Sequence, residues 1–241
     1  MGLYLGSEKV KIYLGGTTHR FGIFSAETPK YEPDEPVLST YSIIEYIEAT
    51  GTQYIDTGIT GHDGLSVEFN FEALSRLSAD NSTIIGCTNG SNQRMYLTLN
   101  NSSAAKPFLW ELGASNYYVL TDWSLSYCEL NTKYHVNISW TKASSVLTID
   151  GKDVIPLNNT LNFDDNNTNV FLFARNKGTS IDKYSHAKLY DLKMYDNGTL
   201  VRNFIPALRN SDNAIGLYDT VTDAFFTNAG SGSFVAGNII V

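Results

Sequence analysis

The chain has 241 residues, a net charge of −8, 42% hydrophobic residues and only 17% charged ones. That length and apolar share suffice for a core without metal or disulfide staples and exclude a disordered chain. The acidic balance excludes a duplex nucleic-acid binder or a partner of anionic membranes, and no apolar run reaches the ~20 residues of a membrane span.

The N-terminal segment repeats itself: Leu3-Tyr4-Leu5-Gly6-Ser7 is echoed by Ile12-Tyr13-Leu14-Gly15-Gly16. Two short strands with Gly-based turns are expected, a pair too small to stand alone. No apolar core of a signal peptide interrupts the charges Glu8, Lys9, Lys11 and Arg20, so synthesis in a cytoplasm is expected. Residues 28–38 hold Pro29, Pro33 and Pro36 among acidic residues and read as a stiff linker between a segment at 1–27 and a domain at 39–241.

From Ser39 the pattern is strand after strand. Tyr41 to Ile47 reads as one strand and Gln53 to Gly58 as the next. Leu65, Val67, Phe69 and Phe71 alternate with Ser66, Glu68, Asn70 and Glu72, predicting a half-buried strand with the second set exposed. Phe71 to Ser78 is the one helix candidate. Thr83 to Cys87 reads as fully buried, Met95 to Leu99 and Phe108 to Leu112 as alternating strands, with Trp110 in the core phase. Tyr134 to Trp140 and Ser145 to Ile149 form an expected hairpin, and Asp150-Gly151 and Asn197-Gly198 are tight-turn signals. Val170 to Ala174, Ala187 to Tyr195, Leu200 to Ile205 and Ala214 to Tyr218 complete the series. So many short strands indicate an all-β sandwich or jelly roll. Its core would include Phe69, Phe71, Leu97, Trp140, Phe171, Phe173 and Leu192. Cys87 and Cys128 sit in apolar surroundings and read as buried thiols.

Catalytic patterns are missing. Glu68-Phe69-Asn70-Phe71-Glu72 lacks the central Asp and the spacing of a paired-carboxylate glycosidase strand. His19, His62, His135 and His186 are scattered, none beside a Ser at a strand turn, so no catalytic residue is expected. The aromatic crowd is the better lead: Tyr117, Tyr118 and Trp123 lie near Ser115-Asn116 and Thr121-Asp122, which read as loop. Aromatic faces stack on sugar rings while Asn, Asp and Ser bond the hydroxyls, so these three are the candidate ligand-binding residues.

Two blocks carry a family resemblance. Ile44-Glu45-Tyr46-Ile47-Glu48-Ala49-Thr50-Gly51-Thr52-Gln53-Tyr54-Ile55-Asp56-Thr57-Gly58 resembles the opening of concanavalin A-like, laminin-G-like domains in phage and prophage structural proteins. Ala187 to Gly198, Val201 to Pro206, Gly216-Leu217-Tyr218-Asp219 and Phe225-Phe226-Thr227-Asn228 are similar to its close. The resemblance implies a concanavalin A-like jelly-roll β-sandwich of two antiparallel sheets, without catalysis. The protein would sit on a virion as a head fibre, decoration or tail-tip appendage, displaying a lectin-like domain to host-cell or mucosal glycans. Residues 1–27 would join other virion proteins, and the chain would be a homotrimer. A purely structural virion protein and a glycan-degrading enzyme are the alternatives. Calcium-binding relatives make Asp164 and Asp165 calcium candidates; such clusters are also ordinary turn formers, so no cofactor is expected.

Overall fold

The computed structural model describes residues 4–5, 8–9, 40–77, 81–89, 93–100, 108–113, 116–119, 128–142, 145–156 and 165–240. The chain divides into two units, Met1–Val37 and Leu38–Val241. In the first, β1 (Tyr4–Leu5) runs antiparallel to β2 (Glu8–Lys9), Tyr4 opposite Lys9 and Leu5 opposite Glu8. The echo at 12–16 and the proline-rich stretch lie outside the described residues.

The second unit is a sandwich of two sheets. Its strands begin with β3 (Tyr41–Ile43), β4 (Ile47–Thr50), β5 (Ile55–Thr60), β6 (Leu65–Ser75), β7 (Asn81–Thr88) and β8 (Arg94–Asn100). Then come β9 (Phe108–Gly113), β10 (Asn116–Val119), β11 (Lys133–Trp140), β12 (Val146–Ile149), β13 (Lys152–Pro156) and β14 (Asn169–Leu172). The chain closes with β15 (Arg175–Asn176), β16 (Ile181–Asp182), β17 (His186–Asp196), β18 (Thr199–Arg209), β19 (Ala214–Asp219), β20 (Ala224–Thr227) and β21 (Val235–Ala236). The smaller sheet has the order β10-β9-β8-β7-β14-β5, with the β15-β16 hairpin beside β7. The larger runs β13-β12-β11-β6-β17-β18-β19-β20, with β4 along the first half of β17 and β3 along the end of β18.

The core lies between the sheets. Leu65, Val67, Phe69 and Phe71 of β6, Val136, Ile138 and Trp140 of β11, and Leu192 and Met194 of β17 meet Ile85, Cys87, Met95, Leu97 and Leu172 in one buried cluster. Each such side chain contributes about 1.5–3 kcal/mol by leaving water. All seven core residues expected from the alternation are buried, Phe171 the least so at 7% exposure. The hairpin turns form as their residues require. Asp150-Gly151 (φ 51° and 72°) and Asn197-Gly198 (φ 46° and 80°) supply the paired positive φ of a two-residue turn. Both cysteines are buried and free, and burial pushes each thiol up to about 12, away from reactivity.

Three expectations are corrected. Phe71 to Leu77 holds no helix, Ser78 lying outside the described residues: β6 continues to Ser75 because both its edges are claimed, Glu72 pairing with Lys133 and Ala73 with Ala187. Tyr41 to Ile47 is two strands, because Ile43 and Ile44 are both buried and break the alternation; β3 adds to β18 and β4 to β17. Glu68, Asn70 and Glu72 keep their outward phase but are half-buried, because β11 and β17 flank β6 and their side chains hem these in.

The two sheets differ in their outer faces. In the smaller one, Ser82–Thr88 and Met95–Leu99 are buried on both faces. The segment around β15 and β16 covers them: Arg175 lies over Tyr96, its Cζ 5.3 Å from the ring centroid and its Nη1 3.2 Å from the hydroxyl. The Thr83 N–H donates to the Lys183 carbonyl at 2.7 Å. In the larger sheet, alternate residues of β6, β11 and β17 stay half-buried or exposed, so that is the face open to a ligand.

Candidate functional site: the outer face of the larger sheet

Strand register arranges this face in rows. The first holds Val146, Ser139, Ser66 and Tyr195 as successive cross-strand partners, and the second Thr148, Asn137, Glu68 and Lys193. His135, Asn70 and Asp191 follow, then Lys133, Glu72, Lys188 and Glu48. Polar pairs hold the rows: Asn70 Nδ2 reaches both Asp191 oxygens at 2.9 Å, and His135 Nε2 lies 3.4 Å from Glu68 and 3.2 Å from Asn137 Nδ2.

One end of the face is self-occupied. Tyr190, at a bulge of β17, donates to Glu72 at 2.5 Å; burial and the Glu72 carboxylate hold its phenol well above the usual range. Lys133 Nζ sits 3.9 Å above the Tyr190 ring and Lys188 Nζ 4.7 Å from that of Tyr46, so ammonium groups cap both rings.

The other end is open. A cavity of about 210 Å³ is lined by Ser66, Glu68, Asn137, Ser139, Val146 and Tyr195, beside Val67 and Ile138. Small serines form its floor between the Tyr195 ring and Val146. No side-chain hydrogen bond among the described residues uses the hydroxyls of Ser66, Ser139 or Tyr195. An apolar wall with hydroxyls, an amide and a carboxylate around one hollow is the equipment for a polyhydroxylated ring.

Beside this trough, His62 ties the turn before β6 to the end of β17. Its Nδ1 lies 2.8 Å from the Thr60 carbonyl and its Nε2 3.0 Å from Asp196 Oδ1. Both partners are acceptors, so the doubly protonated ring satisfies both. Partial burial opposes the charge, but the bonds to Asp196 and Thr60 outweigh it and the pKa is raised. A raised folded-state pKa stabilises the fold fully below the ordinary His value of about 6.5, and that contribution is lost as pH rises through the folded value. The melting-temperature gap between the protein and its His62→Gln variant should therefore shrink from pH 5.5 to pH 8.5; a constant gap would refute the charged latch.

At the far end of β6, Ser75 Oγ lies 2.8 Å from His186 Nδ1, and His186 Nε2 lies 3.1 Å from Glu48 Oε1. No local pattern marks this Ser–His–Glu row, because its members come from β6, β17 and β4. Along the strand, Ser75 is about 30 Å from Ser66 at ~3.3 Å per residue, so the row does not share the trough.

The expected ligand residues lie elsewhere. Tyr117 and Tyr118 are not in a loop: they sit in β10, an edge strand, opposite Glu111 and Trp110, because the 116–119 backbone pairs with β9. Trp123 and Asp164 lie outside the described residues. Asp165 is exposed, and its Oδ1 accepts the Asp63 N–H at 3.3 Å while Asp63 accepts the Lys142 N–H at 2.8 Å, a tie between loops. Among the described residues no three His, Cys, Asp or Glu side chains gather as metal ligands. The trough was missed because its six residues come from four strands. The matching outward phases of Ser66/Glu68, Asn137/Ser139 and Tyr195 were its only signal.

No family model matches the chain, and no curated protein matches it. Solved structures do. A candidate carbohydrate binding protein from Bacteroides ovatus superposes with a TM-score of 0.55 at 14% identity, over 83% of this chain and 61% of that one. This chain thus spans less than two thirds of that protein's length. A heptameric SAP-like pentraxin from Limulus polyphemus gives 0.49 at 14% identity, over 82% and 94%. Domains LG4-5 of the mouse laminin alpha1 chain give 0.45 at 14% identity, over 66% and 44%. The fold is a concanavalin A-like jelly-roll sandwich of two antiparallel-rich sheets.

Proposed function

We propose that the sandwich binds carbohydrate at the Tyr195 trough, without catalysis and without a resident metal, and that phage particles carry it as a head fibre, decoration or tail-tip appendage. The trough carries the first part: one aromatic ring, two serine hydroxyls, an amide and a carboxylate share a single hollow on the open sheet face. The likeness to a candidate carbohydrate binding protein agrees with it. The virion setting rests on the resemblance of the opening and closing segments, with residues 1–27 as the anchor to other virion proteins. Assembly as a homotrimer would turn three weak sites into firm attachment through effective concentration.

A glycan array probed with the protein and with Tyr195→Ala tests the binding. The protein should retain a defined set of glycans, and the variant should lose at least tenfold in affinity, about 1.4 kcal/mol. Its melting temperature should stay within a few degrees, because the ring is only half-buried. An array on which nothing is retained would leave the sandwich a structural part of the particle. Mass spectrometry of purified particles tests the virion setting, which fails if the chain is missing from them.

A further inference from the structure

We infer that the trough is a terminal-residue site: it takes the last ring of a glycan, neutral or bearing an amine, and turns away an acidic one. The inference rests on the carbohydrate reading above and specifies its ligand. Shape is the first argument. The floor is made of Ser66 and Ser139, between Tyr195 and Val146. One row further along the strands the outward residues are the longer Asn137 and Glu68, and the row beyond holds His135 and Asn70. The floor therefore rises, and a chain of sugars running along the strands would have to climb out. The volume of about 210 Å³ is also below the ~300–1,000 Å³ of pockets that enclose larger ligands, leaving room for about one ring.

Charge is the second argument. At the rising end the hollow is lined by the Glu68 carboxylate and the Asn137 side chain. The carboxylate only accepts, which suits hydroxyl or ammonium donors. A sugar carboxylate there would meet Glu68 as a like charge.

The test uses calorimetry with the sandwich-bearing full chain and a matched ligand set. The set is the methyl glycosides of glucose, galactose, mannose, glucosamine and glucuronic acid, with linear trisaccharides ending in the same rings. For the sugar that binds, the trisaccharide should bind within about threefold of its single ring, and the glucuronide at least tenfold more weakly than the best neutral or amino sugar. Glu68→Gln should narrow that second gap to about threefold. Affinity rising more than tenfold from one ring to three, or a glucuronide that binds as well as the rest, overturns the terminal-site inference while leaving carbohydrate binding intact. A folded protein that binds none of the set overturns the carbohydrate reading and the inference with it.

Discussion

Asp219→Ala is expected to cost about 3–5 kcal/mol of stability, the range for removing one partner of a buried, hydrogen-bonded charge. Asp219 ends β19 with no exposed surface. Its carboxylate accepts the Asn203 N–H at 2.8 Å, the Val221 N–H at 3.1 Å and the Thr222 hydroxyl at 2.6 Å. Arg202 Nε lies 3.7 Å away and also donates to the Thr57 carbonyl at 3.0 Å. Alanine would strand two backbone N–H groups, a hydroxyl and a guanidinium that is itself mostly covered. Asp219→Asn keeps an acceptor oxygen and should cost less than half as much. Urea denaturation of both variants checks the order; an alanine variant within 1 kcal/mol of the parent would show that the network does not hold the β19–β20 turn.

That network and the trough mark the limit of what the sequence makes legible. Period-2 alternation located β6, β8 and β11, because each of those patterns is local, but in β8 it missed the burial of Tyr96 and Thr98, which comes from the segment laid over that sheet. The Asp150-Gly151 and Asn197-Gly198 turns were legible for the same reason: two adjacent residues decide them. Strand order is not local. Nothing in the segment 65–75 says that β11 and β17 flank it, and that pairing turns its polar face into the floor of a half-covered site. The error at Phe71 to Ser78 has the same root, since pairing on two sides outweighs a weak local preference for helix. The aromatic cluster at 117–123 is legible because its members are close in sequence. Tyr195 stands in sequence between Met194 and Asp196, and its setting comes from Ser66, Ser139 and Val146, which strand pairing and not sequence proximity brings beside it.

Gly86→Ala should be about as damaging, at 3 kcal/mol or more. Gly86 has φ 148° in the middle of β7, between β8 and β14. A Cβ there would fall on the Cα and Cβ of Tyr96 and on the Met95 carbonyl oxygen. Those are backbone-anchored atoms of the neighbouring strand, which cannot swing aside as a side-chain tip can. Overpacking a core costs about 1–3 kcal/mol and a strained φ about 1–3 more. Gly151→Ala is the control: φ is also positive, at 72°, but nothing lies within 4 Å, so only the strain of about 1–2 kcal/mol applies. Chemical denaturation of the pair should separate them by at least 1 kcal/mol, and equal losses would refute the close approach of β7 and β8. There Tyr96 is buried beneath Arg175, which covers the centre of the smaller sheet's outer face. Among the described residues, the rows from Val146 to Tyr195 on the larger sheet keep outward side chains that are half-buried or exposed, in contrast to that sealed centre.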